Sequence, residues 1–108
     1  MTVNVVDVDM IPFPRIISVA VPIVYSDSAV VEWETDIDSD GRVDYGTDAG
    51  YGYSTYTDTE LKKKHRIQIY GLKPGTTYHF RVVASRYSLE AVENFSPNYM
   101  FMTEPAGK

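Results

Sequence analysis

Apolar and polar residues alternate along this chain in short runs, and each run stops at a cluster of Gly, Pro, Asp, Asn or Ser. A period of two puts every second side chain on one face of a strand, so the pattern predicts strands joined by turns. The clearest run is Ala29–Thr35. Ala29, Val31 and Trp33 share one face and Val30, Glu32 and Glu34 the other, which sends Trp33 into the core. Arg42–Tyr45 repeats the pattern with Val43 and Tyr45 inward, and His65–Tyr70 points Ile67 and Ile69 inward. Thr77–Arg86 is the longest predicted strand. Its inward set is Tyr78, Phe80, Val82 and Ala84; its outward set is His79, Arg81, Val83 and Ser85. Phe95–Thr103 closes the series with Tyr99 and Phe101 inward. Arg15–Val21, interrupted by Pro22, opens it, and Tyr53–Thr57 is a marginal member. No stretch sustains a 3.6-residue period. The best helical candidate, Thr59–Lys64, is one or two turns long.

Seven short strands within residues 15–103 predict an all-β chain, a seven-stranded immunoglobulin-like β-sandwich. At 108 residues there is room for one domain. Residues 1–13, with Pro12 against regular pairing, read as a lead-in, 14–103 as the domain and 104–108 as a tail. Asp36–Gly41 is predicted as a polar loop, residues 46–52 as a turn-rich stretch, and Tyr87–Asn94 as a loop of the kind sandwiches gather at their ends.

The corner before the longest strand has a physical logic of its own. Pro74 fixes φ and Gly75 permits a positive φ, so the chain can reverse between sheets there. Leu72 is placed to plug the core at the crossing. Tyr78 buries its ring, and its hydroxyl needs a partner, for which a backbone group a few residues upstream is the natural choice.

Three motifs in order carry a family resemblance. Ala29-Val30-Val31-Glu32-Trp33 is similar to the second strand of fibronectin type III domains, with its core tryptophan. Arg42-Val43-Asp44-Tyr45-Gly46-Thr47 resembles the third strand in bacterial and archaeal members and in the N-terminal domain of purple acid phosphatases. Gly71-Leu72-Lys73-Pro74-Gly75-Thr76-Thr77-Tyr78 looks like the corner into the sixth strand. Phe101-Met102-Thr103 resembles the usual ending, with Met102 as a departure. The resemblance covers residues 14–103 and implies a fibronectin type III fold.

Composition narrows the partners. Ten Lys and Arg against 15 Asp and Glu give a formal charge of −5, which opposes nucleic acid or an anionic membrane as a partner. The basic run Lys62-Lys63-Lys64-His65-Arg66 is short and follows Asp58 and Glu60. No apolar run is long enough to cross a membrane. The chain has no cysteine, so disulfides, Cys-ligated zinc and thiol nucleophiles are excluded. Residues 1–10 lack the basic start of a signal peptide, so no targeting signal is expected within this chain.

Candidate chemistry is sparse. Asp36-Ile37-Asp38-Ser39-Asp40-Gly41 reads as the first half of a calcium loop, with Asp44 at the ninth position and Thr47 where a bidentate Glu belongs. The segment reads either as an acidic turn or as a calcium site on Asp36, Asp38, Asp40 and Asp44, and no other cofactor is expected. Tyr51, Tyr53 and Tyr56 fall in one Gly/Ser/Thr-rich stretch and either bind a ligand or cover the open sandwich edge. Outward His79, Arg81 and Asp44 could share one sheet face. Asn94-Phe95-Ser96 is a glycosylation sequon in form. No nucleophile, acid–base pair or full metal set is evident, so the chain is expected not to be an enzyme. The resemblance implies a spacer or interaction module of a larger cell-surface or secreted protein, with a protein or polysaccharide partner. A carbohydrate-binding accessory domain and the non-catalytic N-terminal domain of a metallophosphatase-like enzyme are the alternatives.

Overall fold

The computed structural model describes residues 13–86 and 93–107, so the lead-in through Pro12 and most of the Tyr87–Asn94 loop lie outside the described residues. Seven antiparallel strands form two sheets and there is no helix among the described residues: β1 Ile16–Val24, β2 Ala29–Gly46, β3 Tyr53–Ser54, β4 Asp58–Ile69, β5 Thr77–Ala84, β6 Asn94–Phe95 and β7 Tyr99–Met102. Sheet A joins β1 and β4 to the first part of β2. Sheet B joins the last part of β2 to β3 and β5, and β5 in turn to β6 and β7.

The strand number matches the expectation, but the division differs. Two predicted strands, Ala29–Thr35 and Arg42–Tyr45, are one 18-residue element. The predicted loop Asp36–Gly41 is therefore strand, and it carries the chain from sheet A into sheet B. Register shifts against β4 between Glu34 and Ser39, and again before Gly41, supply the bend. Thr59–Lys64, the best helical candidate in a chain without a sustained helical period, is strand too, because β4 starts at Asp58 and follows the bent part of β2, pairing Lys62 with Ser39 and Asp58 with Gly41. Pro22 interrupts β1 as expected: the register shifts between Ala20 and Ile23, and pairing then resumes through Val24. The predicted last strand splits into β6 and β7 around Ser96–Asn98, where the Ser96 hydroxyl accepts from the Val82 amide at 2.8 Å in place of a ladder bond.

The core lies between the sheets. Ala29, Val31, Trp33, Ile67 and Ile69 come from sheet A; Val43, Tyr78, Phe80, Val82 and Phe101 come from sheet B; Leu72 enters from the corner. Each such side chain contributes roughly 1.5–3 kcal/mol on full burial. The corner follows the sequence closely. The Lys73 amide donates to the Tyr78 hydroxyl at 2.8 Å, and Gly75 adopts φ 58°. Val30, Val83 and Ser85, predicted as outward, are nevertheless buried, and Tyr99, predicted as inward, is exposed. Val83 lies between Arg42 and Phe95 in the ladder, and Ser85 is gripped by Asp40.

Candidate functional site

Alternation along β2 and β5 places Arg42, Asp44, His79 and Arg81 on the outer face of sheet B, with Asp44 directly opposite Arg81. Asp44 is the hub. Its Oδ1 accepts from Arg42 Nε at 3.0 Å and Ser54 Oγ at 2.7 Å, and its Oδ2 accepts from Arg81 Nε at 3.0 Å. Arg42 reaches on to Glu93 at 2.8 Å. Burial alone would raise the Asp44 pKa, but the bonds from Ser54, Arg42 and Arg81 outweigh it and hold the carboxyl below its usual range. Burial alone would lower the Arg42 pKa, yet Glu93 and Asp44 together leave it raised.

Aromatic rings clamp the same arginine. The Arg81 guanidinium lies 5.0 Å from the Tyr51 ring centre and 4.4 Å from that of Phe95. Tyr51 is put there by a tight turn in which Gly50 N donates to Asp48 Oδ1 and Tyr51 N to Asp48 O. The turn holds Tyr51 at φ 64°, a conformation uncommon outside glycine. It also passes so close to β2 that a Cβ on Gly46 would sit 1.6 Å from the Tyr51 carbonyl oxygen, so only glycine fits at 46. Tyr51 Oη donates to Asn98 Oδ1 at 3.1 Å, and the Asn98 amide donates to His79 Nδ1 at 3.0 Å. Met100 and Met102 continue this face along β7, opposite His79 and Thr77, and both are more than 60% exposed.

A second cluster sits where β2 leaves sheet A. His65 is fully buried and stacks on Trp33 at 5.2 Å with a 10° interplanar angle. Its Nε2 lies 2.8 Å from Ser39 O and 2.9 Å from Lys62 O, and its Nδ1 lies 3.1 Å from Asp58 Oδ2. These contacts tie the bent part of β2 to β4. Sequence reasoning took His65 only for a strand start. The signal was its position, two residues before Ile67 on the inward face.

The candidate calcium ligands are dispersed. Asp36 accepts from the Arg15 amide at 2.7 Å, Asp38 is exposed, Asp40 is buried on Ser85 N and Oγ, and Asp44 belongs to the arginine hub. Because residues 36–41 run as strand, the four carboxylates do not converge, and no group of three or more metal-ligating side chains occurs among the described residues. The tyrosines are dispersed as well. Tyr51 lies over Arg81, Tyr53 stacks on Tyr45 at 5.6 Å on the other side of the sheet, and Tyr56 is exposed with no ring partner among the described residues. His79, Arg81 and Asp44 do share a face, as expected; Asp44 and Arg81 are bonded to each other, while His79 is held separately through Nδ1 by Asn98.

Comparison with known proteins agrees with this architecture. The model of the purple acid phosphatase N-terminal domain matches residues 14–103. No curated protein matches the chain in sequence. Among solved structures, a fibronectin type III domain of human fibronectin type III domain containing protein 3 superposes with a TM-score of 0.63 at 19% identity, covering 86% of this chain and 85% of its own. The sixth such domain of a human protein of that name gives 0.60 at 25%, covering 89% and 85%. The sensor domain of the anti-sigma factor RsgI4 from Pseudobacteroides cellulosolvens gives 0.56 at 17%, covering 85% and 93%.

Proposed function

The chain belongs to the family of purple acid phosphatase N-terminal domains, and on that premise we propose that it is a non-catalytic β-sandwich module that spaces and docks a neighbouring domain of a larger secreted or cell-surface protein. The observation that carries this reading is the outer face of sheet B. Interface centres favour Tyr, Arg and Met, in well-packed settings that are already ordered before binding. Here Arg81 is held by Asp44 and by two rings, while Phe95, Met100 and Met102 remain exposed around it. Methionine adapts to an irregular partner surface, which suits the border of such a face. Membership of a family of purple acid phosphatase N-terminal domains supports a domain of the same protein as the partner. Among the described residues every acid on this face is bonded to arginine, serine or both, which supports a binding role over catalysis.

The test uses the full-length protein. Met100→Glu with Met102→Glu should leave the melting temperature of the isolated module unchanged, because both side chains are exposed. In the full-length protein the pair should uncouple the module, giving a separate melting transition and faster proteolysis between the domains. An unchanged full-length melt would overturn the docking role. Sustained hydrolysis of p-nitrophenyl phosphate by the isolated chain, lost in Asp44→Asn, would overturn the non-catalytic one.

A further inference from the structure

A cleft of about 230 Å³ opens on the other side of sheet B, between β3 and the corner that leads into β5. Its lining combines the stacked pair Tyr45 and Tyr53 with Thr47 and with Gly71, Leu72, Lys73 and Tyr78 of the corner. We propose that this cleft binds a single saccharide ring, a role independent of the docking face described above.

Three features point to a sugar. The first is the exposed aromatic surface. Tyr53 sits on a two-residue strand and is 65% exposed despite its stack on Tyr45. A side chain that merely covered the sheet edge would be buried by what it covered. The C–H bonds of a sugar ring, made positive by neighbouring oxygens, match the negative face of a phenol. The second is the polar rim. The hydroxyls of Tyr45, Tyr53 and Thr47 and the Lys73 ammonium have no hydrogen-bond partner among the described residues, so they are free to meet hydroxyl groups. Burial, with Tyr53 and Tyr78 adding to it, raises the Tyr45 pKa, so its hydroxyl stays a donor at neutral pH. An aromatic floor with a few convergent polar groups is the ordinary make-up of a small-ligand site. The third is access. Gly71 adopts φ 73° and a Cβ there would meet nothing within 4 Å, so the lining is open, bare backbone at that point. The volume lies below the ~300–1,000 Å³ of drug-sized sites, which limits the occupant to about one ring. With Lys73 as the single charge in the lining, the cleft accepts a neutral ring or one carrying a carboxylate.

The decisive experiment follows amide shifts of the intact chain by NMR during titration with cellopentaose, mannopentaose and trigalacturonate, the last being the anionic arm, and with a polyproline peptide. Saturating shifts confined to Tyr45, Thr47, Tyr53, Lys73 and Tyr78 with at least one saccharide are expected. Tyr53→Ala should weaken that binding about tenfold or more. Tyr53→Phe should retain most of it without altering the melting temperature, because it keeps the ring stacked on Tyr45. Lys73→Ala should weaken the uronate arm more than the neutral ones, and Met100→Glu should leave all saccharide binding intact, which separates this site from the docking face. No shift with any saccharide, or shifts at these residues with polyproline alone, would overturn the proposal.

Discussion

At the scale of single residues, the most demanding positions are those where a buried polar atom has one partner. Tyr78 is the simplest case. Its hydroxyl accepts from the Lys73 amide, and its ring lies in the core beside Phe101. Tyr78→Phe keeps the ring and removes the acceptor, so chemical denaturation should show a loss of about 1–3 kcal/mol. Asp44 and Asp58 make a second case. Burial tends to raise both pKa values. Bonds from Ser54, Arg42 and Arg81 to Asp44, and from His65, the Glu60 amide and Lys62 to Asp58, lower them on balance. A carboxylate whose pKa is lower in the folded chain stabilises it above the unfolded value, near 3.8. That contribution is lost as pH falls through the lowered folded value. The melting temperature should therefore drop as the solution is acidified below about pH 4, and less steeply in Asp44→Asn, which has no charge left to lose. The corner residues were legible because their roles are local: Pro74, Gly75 and Tyr78 act within a few positions of one another. The arginine hub was legible only as a shared face. Its central bond joins residues 37 apart, and that partnership is set by the register of β2 on β5 rather than by spacing.

At the scale of elements, the sequence pattern located strands well where one face is apolar and poorly where pairing alone makes the strand. Residues 36–41 and 58–64 are rich in charge and lack alternation, yet they pair with each other as β2 bends between the sheets. His65 and Asp40 hold that bend through buried hydrogen bonds between distant parts of the chain, which no local pattern records. The β2–β3 turn is the other element with a specific requirement. Gly46→Ala would drive a Cβ into the Tyr51 carbonyl, so the turn must open and lift Tyr51 from Arg81. The expected result is a destabilised but folded chain in which the Tyr51 side-chain resonances lose their ring-proximity contacts to Arg81. Preserved contacts would show that the turn can move without releasing the ring. The split of the last strand follows from the same limit. Ser96 replaces a ladder bond with its side chain, and residues 96–98 drop out of the sheet.

At the scale of the whole molecule, the chain is an all-β sandwich whose two sheets are joined through one long strand. Its acids are distributed by that architecture rather than gathered by the Asp-rich segment. Asp40 is bound to Ser85, and Asp44 to two arginines, so melts in calcium and in chelator should coincide. A rise of several degrees with calcium would show that the segment rearranges to bind it. In the two proposed roles, the outer face of sheet B would hold a neighbouring domain and the tyrosine cleft a sugar. The most direct test of the docking role is methionine methyl NMR with carbon-13 labelling, comparing the isolated chain with the full-length protein. The Met100 and Met102 methyl resonances should shift and broaden in the full-length protein. Resonances at identical positions in both would contradict docking through this face.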